Sequence, residues 1–257
     1  MTGPETDCAR ALSFLHRMEV RAVDRVEAFP CGASLFTDGL PLVWDANHVH
    51  LRRPWPGTAG DLHAELRKAL DERGLAHQMV VTHHEEDARR LEPGLRALGY
   101  VREVHAVMAL RRKAGRTASA PVEDVHIQVV SAIRASAGSD LPPESDEAVD
   151  QILRWGRQVH ERLGDRWLAA FADGVPAACA RVLSDGSTGQ VEDVVTLPQR
   201  RNAGLATSVV LGAIERLHAE GADLVLIVVD RDSGPLALYR DLGFDPLTTI
   251  TRFRRCA

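Results

Sequence analysis

Hydrophobic and polar positions alternate most clearly in the second half of the chain. Apolar residues recur every three or four positions between 148 and 163, which predicts an amphipathic helix. The stretch WLAAFADGVPAACARVL (167–183) predicts two strands that turn at Asp173 and Gly174, because an Asp-Gly pair supplies the positive φ of a tight hairpin. A shorter apolar run at 125–130 predicts a strand before the helix.

The rest of this half predicts further strands and helices in alternation. QVEDVVTL (190–197) predicts a strand, and the apolar face that follows predicts a helix over 204–220. ADLVLIVVD (222–230) is an almost continuous apolar run, as expected of a strand that is covered on both faces. A short helix that ends at Gly243 and a last strand follow. Elements of both types in this order favour an α/β fold.

The first half ends on a pattern that recurs later in the chain. Residues 77–110 repeat the order found at 224–253, which is an apolar strand, an acidic helix start, an LG-aromatic triplet and a last strand. Such self-similarity indicates an internal repeat. Between the copies, RRKAGRTASAPVED (111–124) is polar and rich in small residues, as linkers are. We therefore predict a first domain, a linker and a second domain over residues 1–112, 113–122 and 123–257.

Length, charge and cysteine use narrow the functional classes. A chain of 257 residues allows one large or two ordinary domains, and 45% hydrophobic with 26% charged residues is typical of a globular protein. A net charge of −5 with only short basic clusters argues against nucleic-acid binding. No apolar run has the length of a membrane span, and the first residues lack a secretory pattern. The cysteines are scattered without metal-ligand spacing. We expect a cytoplasmic protein with reduced thiols, either a monomer or a homodimer.

One loop has the composition of an anion-binding site. In RRNAGLA (200–206), Gly204 and its small neighbours Ala203 and Ala206 lie directly at the start of the predicted helix. The first N–H groups of a helix have no partner inside the helix, and the helix dipole favours negative charge beside them. Small side chains let a ligand approach this backbone closely. The loop is therefore expected to hold phosphate.

The succession of these elements resembles a known family. A strand, an R-x-x-G-x-A turn, a helix, a buried strand and the motif L-Y-x-x-L-G-F follow one another, with Arg201, Gly204 and Ala206 at the defining positions of the turn. Over about residues 122–256 they resemble the GNAT superfamily of acyl-coenzyme A dependent N-acyltransferases. The resemblance implies tandem GNAT folds, each a mixed, mostly antiparallel sheet flanked by helices. It also implies acetyl-CoA as the acyl donor and an amine of a small molecule or protein as the acceptor.

The resemblance assigns roles to individual residues. In this family the backbone N–H groups of the strand before the loop contact pantetheine and the thioester carbonyl, and Tyr239 stands where the family has the acid for the departing thiolate. Asp232 stands where many relatives carry an asparagine that contacts the cofactor, so this sequence departs from the family there. The implied cofactor contacts are Val194, Val195, Thr196, Arg200, Arg201, Asn202, Ala203, Gly204, Leu205, Ala206, Thr207 and Asp232.

Two carboxylates are candidates for the base that takes a proton from the amine. Strict alternation places Glu192 with Gln190 on a polar strand face and Asp193 among valines, where burial of a charge is costly. Glu192 is then the better candidate. A bulge would reverse this order, and bulges are frequent beside active sites, so Asp193 remains the alternative. Either side chain could instead hold an arginine or a loop N–H group.

The first half lacks both functional motifs. No R-x-x-G-x-G/A turn precedes its buried strand, and Leu95 stands in the register of Tyr239. We therefore predict a degenerate copy that supports the fold or walls the acceptor cleft, with one cofactor per chain. A piece of the chain from about residue 120 onward keeps every residue named for catalysis, so it is expected to bind acetyl-CoA if it is soluble.

Histidines in the first half raise the question of a metal. His48 and His50 share one strand face, and His83 and His84 begin the helix after the buried strand. A metal site needs a third ligand at a fixed spacing, and the sequence shows none. We interpret these as surface or hydrogen-bonded histidines and expect no metal.

The predicted function is transfer of an acetyl group from acetyl-CoA to a primary amine by direct attack. The alternative is a regulatory module that binds acyl-CoA as a sensor and transfers nothing.

Overall fold

The computed structural model of the protein describes residues 4–136, 146–232 and 235–256. The elements of the first half are α1 (Pro4–Ala22), β1 (Arg25–Phe29), β2 (Gly32–Phe36), β3 (His48–Leu51), α2 (Ala59–Asp71), β4 (His77–Thr82), α3 (Glu85–Ala97) and β5 (Val101–Leu110). The elements of the second half are β6 (Val122–Val125), α4 (Ile127–Ser136), α5 (Asp146–Leu163), β7 (Arg166–Ala172), β8 (Val175–Ser184), β9 (Thr188–Thr196), α6 (Leu205–Ala219), β10 (Leu224–Asp230), α7 (Pro235–Asp241) and β11 (Phe244–Cys256).

The strands form one mixed sheet in the order β1-β2-β3-β4-β11-β5-β10-β9-β8-β7-β6. Within the described part of the chain, only β3 with β4 and β9 with β10 pair in parallel. Helices α2, α3, α6 and α7 pack against one face of the sheet, whereas α1 and α4 pack against the other, with α5 beside α1. The predicted α/β class, with a mixed and mostly antiparallel sheet flanked by helices, is confirmed.

The two halves exchange their last strands. β5, which ends the first half, lies between β10 and β11 of the second half, and β11 lies between β4 and β5. β5 and β11 pair along almost their whole length, from Leu110 with Phe244 to Val101 with Arg254. Each half therefore completes its part of the sheet with a strand of the other. The sequence does not predict this exchange, which joins the two expected sheets into one.

Most predicted elements are present, and the hairpin turns where expected, with φ of 53° at Asp173 and 75° at Gly174. The strand predicted over 125–130 is wrong, because β6 ends and α4 begins there. Val130 and Ile133, one turn apart on α4, are both buried against β7 and β8. A short apolar run fits either a strand or a helix turn, and here the packing surface selects the helix.

No helix in the described ranges is both long enough and apolar enough to cross a bilayer.

All four cysteines are unpaired, as expected of reduced thiols. Cys179 is fully buried on β8, where loss of hydration, assisted by the nearby charge of Asp193, raises the pKa of its thiol to about 12. A thiol in such surroundings stays protonated and is a poor nucleophile.

Candidate active site

β9 and β10 diverge part-way along their length. Their parallel register ends at Val191 and Ile227, although β9 continues to Thr196 and β10 to Asp230. Beyond that register, described residues of the two strands make no pair with each other. The strands therefore enclose a notch in which the edge of β9 has no strand partner. The strand residues predicted to contact the cofactor lie along this edge.

The register between β8 and β9 shifts beside the notch. Cys179 pairs with Val195 whereas Arg181 pairs with Glu192, so one residue of β8 faces two of β9. The extra residue forms a bulge at Asp193, whose φ of 50° lies in the left-handed region. The strict alternation predicted for this strand is therefore wrong, and the bulge given as its alternative is present. The bulge brings Asp193 to the same side of the sheet as Glu192, and both carboxylates reach Arg181.

Five charged side chains form what we call the Arg181 cluster, which comprises Arg134, Asp165, Arg181, Glu192 and Asp193. The side chain of Arg181 is only 14% exposed and pairs with Glu192. Its Nη1 lies 3.5 Å from Asp165 Oδ2, and its Nε lies 3.6 Å from Asp193 Oδ2. Arg134 of α4 approaches the same oxygen of Asp193 at 3.7 Å. The cluster therefore places three carboxylates around one buried guanidinium, on the side of the sheet that α4 covers.

The sequence analysis missed three members of this cluster, which are Arg134, Asp165 and Arg181. One signal was available, because Arg181 interrupts the apolar strand ACARVL, and a charged side chain is seldom buried without a partner. Asp165 is completely buried and also hydrogen-bonds His160 Nδ1. Nothing in the sequence around Asp165 predicts that contact.

Burial changes the proton affinity of both central partners. Loss of hydration raises the pKa of Glu192, and Asp193 adds to the rise, whereas Arg181 opposes it. Burial lowers the pKa of Arg181, but the surrounding carboxylates outweigh this effect and raise it, so the guanidinium stays charged. Glu192 is 22% exposed, and its Oε2 accepts a 2.9 Å hydrogen bond from Gln190. A carboxylate with a raised pKa is a stronger base near neutral pH.

Arg181→Met should destabilise the fold strongly, because it leaves buried carboxylates without a counter-charge. Removal of one partner of a buried ion pair costs about 3–5 kcal/mol. Urea unfolding at neutral pH measures this loss in the free energy of unfolding. The loss should shrink as the pH falls, since the carboxyl groups then bind protons and no longer need the arginine.

Arg216→Met is the matched control for that experiment. Arg216 pairs with Asp124 at 3.0 Å, and both side chains are more than 40% exposed, so the loss should stay below about 1 kcal/mol. Equal losses in the two variants would show that the cluster around Arg181 contributes no more than a surface ion pair.

The predicted phosphate loop leads directly into α6. Gly204 is the N-cap residue, with φ of 77°, and no side chain caps the helix. Asn202 is also left-handed, with φ of 63°. A Cβ at Gly204 would lie 2.7 Å from Ser119 Oγ, so the glycine lets the chain between the two halves pass close by. Since α6 has no side-chain cap, its first N–H groups and its dipole can act on an anion.

The first half has counterparts of the notch and of the start of α6, but neither counterpart is open to a ligand. β3 and β4 pair in parallel to their last residues, Leu51 and Thr82, so they enclose no notch. At the start of α2, Thr58 Oγ1 accepts the N–H of Asp61, while Asp61 Oδ2 accepts the N–H of Thr58 at 2.8 Å. Two of the N–H groups at this helix start are thus already bonded to side chains of the chain itself. The described residues of the first half provide neither feature of the second-half site.

The residues predicted to contact the cofactor surround the notch and the loop. Arg200 pairs with Asp173 of the β7–β8 turn at 2.9 Å. Asp232 is exposed just after β10, and its N–H donates to Asp230 Oδ1 at 2.9 Å. Exposed loop positions are Arg201, Asn202, Ala203 and Gly204. Half-buried positions are Val194, Val195, Thr196 and Ala206, and fully buried ones are Leu205 and Thr207.

Tyr239 lies on α7 and is 7% exposed. Its ring packs edge-to-face on Phe244 with 6.3 Å between centroids, in the same buried cluster as Leu205 of α6. Burial raises the pKa of its hydroxyl to about 12. The hydroxyl therefore keeps its proton at neutral pH and can act as an acid.

Comparisons with known proteins agree with this architecture. Residues 130–244 match the family described as the acetyltransferase (GNAT) family. No curated protein sequence matches the chain significantly.

Several solved structures share the fold over nearly the whole chain. A functionally unknown conserved protein from Staphylococcus epidermidis is 12% identical with a TM-score of 0.72, over 91% of this chain and 94% of that one. A GCN5-related N-acetyltransferase from Kribbella flavida is 19% identical with a TM-score of 0.67, over 97% and 95%. A tandem GNAT protein from the clavulanic acid biosynthesis pathway is 15% identical with a TM-score of 0.58, over 95% and 94%. The predicted tandem GNAT fold is thereby confirmed.

Proposed function

We propose that the protein transfers an acetyl group from acetyl-CoA to a primary amine, since residues 130–244 match the acetyltransferase (GNAT) family. The observation that supports the proposal most strongly is the notch between β9 and β10, at the end of β9 that leads into the uncapped helix α6. A narrow, backbone-lined notch suits an extended thiol arm, and an uncapped helix start suits a diphosphate. The two features lie one loop apart.

The edge of β9 is suited to hold the reacting thioester. We assign this edge of β9, along Val194, Val195 and Thr196, to the pantetheine arm and the thioester carbonyl, since it has no strand partner across the notch. Fixed N–H donors near a carbonyl oxygen stabilise the negative charge that develops when an amine attacks, as in an oxyanion hole. The loop from Arg200 to Thr207 then serves the phosphates, with Asp232 at the opposite rim of the notch.

Glu192 is our choice for the base. A lysine-like amine has a pKa of about 10.4 and must lose its proton before it attacks. The raised pKa of Glu192 favours proton uptake, and its partial exposure admits an amine or a water molecule from the side of α4. Asp193 lies between Arg134 and Arg181, which suits a positioning role. The bulge keeps both carboxylates next to the notch.

Transfer in one step, without an acyl-enzyme, agrees with the side chains around the notch. Cys179 of β8 pairs with Val195, directly beside the bulge. Its burial and the high pKa of its thiol make it unsuitable as a nucleophile. The amine therefore attacks the thioester directly, and its nitrogen forms the new bond as the carbon–sulfur bond breaks. Tyr239 donates its hydroxyl proton to the departing thiolate.

Turnover with a panel of amines tests the proposal. Full-length protein is incubated with acetyl-CoA and each amine, and release of free thiol is followed. Titration calorimetry with acetyl-CoA should give one site per chain, because the first half has neither the notch nor the uncapped helix. Thiol release that depends on an amine supports the transferase. Tight binding without release across primary amines of small molecules and peptides favours the acyl-CoA sensor, and absence of binding contradicts both functions.

Gly204→Val should weaken acetyl-CoA binding severely while the fold stays largely intact. A valine Cβ would lie 2.7 Å from Ser119 Oγ and would strain a backbone with φ of 77°, so the loop must shift and its N–H groups move from the positions that the phosphates approach. The matched control is Gly74→Val, which imposes similar strain at φ of 68° in open space in the first half. Calorimetry and thermal unfolding are measured for both. Wild-type affinity in Gly204→Val would remove the loop from the site.

A further inference from the structure

The first half contains a compact group of metal-ligating side chains that the proposed reaction does not use. His16 and Glu19 lie one turn apart on α1, and His50 lies on β3 beneath that helix. His50 Nδ1 lies 2.7 Å from Glu19 Oε2, and His16 Nδ1 lies 3.8 Å from the same oxygen. One ligand atom from each residue falls within 4.8 Å of the others. We call these three residues the α1–β3 cluster.

The spacing of these atoms is close to that of a metal site. Zinc bonds to nitrogen and oxygen of about 2.0–2.2 Å place tetrahedral ligand atoms about 3.4 Å apart. The distances from Glu19 Oε2 to His50 Nδ1 and His16 Nδ1, 2.7 and 3.8 Å, lie on either side of that value. Small side-chain rotations therefore suffice to bring the three ligand atoms to zinc-binding distances. Two imidazoles and one carboxylate are ligands that first-row transition metals prefer, whereas Mg²⁺ and Ca²⁺ prefer oxygen alone.

The surroundings favour a ligand more than a simple hydrogen bond. His16 Nδ1 is buried and has no hydrogen-bond partner among the described residues, although it faces Glu19. His48 is 3% exposed, and neither of its ring nitrogens has such a partner in the described chain. The ring of His83 lies 6.3 Å from that of His50, between centroids. Buried polar atoms are normally hydrogen-bonded, so several unpartnered imidazole nitrogens in one place point to a missing partner.

The α1–β3 cluster lies in the first half at the position that corresponds to the proposed acceptor side, around Glu192, of the second half. β3 pairs in parallel with β4 as β9 pairs with β10, and α1 covers this face of the sheet as α4 does in the second half. The ligands of the α1–β3 cluster thus occupy, in the first half, the place of Glu192 in the second. Glu19 is 28% exposed, which gives an ion access from solvent.

The geometry points to a binding site for a divalent first-row transition metal, formed by His16, Glu19 and His50, with Zn²⁺ as the ion that fits this ligand set. Three protein ligands leave a fourth position open for water or for a small ligand, as in zinc sites that bind substrates. This site is independent of acetyl transfer, and its ligands come from the half that lacks the phosphate loop.

Metal titration of the full-length protein tests the site. Protein stripped with a chelator is titrated with Zn²⁺ by calorimetry, and Co²⁺ is used as a spectroscopic probe of tetrahedral coordination. We expect one Zn²⁺ per chain, Co²⁺ absorption bands in the visible range, a higher melting temperature with Zn²⁺ and no effect of Mg²⁺. Binding that is absent, or that shows no dependence on the variants below, overturns the proposal.

Three variants assign the ligands. His50→Ala and His16→Ala should each weaken Zn²⁺ binding more than tenfold, because loss of a mere outer-sphere partner already costs about 10–100-fold. Glu19→Gln should also weaken Zn²⁺ binding, because it removes the carboxylate ligand. It keeps the size of the side chain and its contact with His50, so this result stays decisive if an alanine variant does not fold. The control is His126→Ala, an exposed histidine of the second half, which should bind Zn²⁺ like the wild type. Equal weakening in the control would identify adventitious surface binding and exclude the site.

Discussion

A chain that begins at residue 120 should not fold by itself. It lacks β5, which pairs with β10 on one edge and with β11 on the other, and it also lacks β4, the second neighbour of β11. β11 would then have no strand beside it. In addition, Leu224, Leu226 and Ile250 would lose the cover of α1. Expression of the piece should give insoluble or unfolded protein, measured by solubility, circular dichroism and thermal unfolding.

Co-expression of the two pieces provides the control for this truncation. Fragments 1–116 and 117–257 each contain the strand that the other requires, so together they should form a soluble complex with a cooperative melting transition. The sequence alone led to the opposite expectation, that the second piece binds acetyl-CoA if soluble, because all named catalytic residues are in it. A soluble, monomeric second piece that unfolds cooperatively would contradict the importance of the exchanged strand.

The exchange of strands shows where reasoning from sequence stops. β5 and β11 each follow a Leu-Gly pair as the last strand of their half, and neither sequence indicates which strand it pairs with. Which neighbour a strand selects depends on contacts between residues more than a hundred positions apart. The polar stretch after Leu110 has the composition of a linker between independent units, yet Gly115 and Arg116 bind Asp241 at the end of α7. Composition thus predicted the connection but not the interlocked sheet around it.

The sequence also predicts some features of the candidate site and misses others. The hairpin, the loop at Gly204 and helix α6 follow from local turn chemistry and periodicity, so the sequence predicts them well. The bulge at Asp193 depends on how β9 pairs with β8, and a strict period of two cannot reveal it. The same holds for the α1–β3 cluster. Two of its ligands come from a helix whose place over His50 is known only once the sheet is assembled.

Tyr239→Phe should lower kcat by about 10²–10⁴-fold, the usual contribution of a general acid or base, while acetyl-CoA affinity changes little. The hydroxyl is the only group removed, and the ring keeps its contact with Phe244. Because the pKa of this hydroxyl is raised to about 12, the wild-type residue stays protonated at any lower pH. The effect of the substitution should therefore be the same across the neutral range. Steady-state rates of thiol release and calorimetric titration measure the two quantities.

Tyr100→Phe is the matched control, since the chain has two tyrosines and this one lies in the first half. Its hydroxyl donates to Gln78 Oε1 at 2.8 Å and lies 3.0 Å from His63 Nδ1, so its loss leaves Gln78 unsatisfied and should cost stability of about 1–3 kcal/mol. Turnover should remain that of the wild type, because Tyr100 is part of the first-half core. Loss of turnover in Tyr239→Phe alone assigns the acid to α7. Unchanged turnover in that variant with every accepted amine would reduce Tyr239 to a packing residue, and the departing thiolate would then take its proton from water.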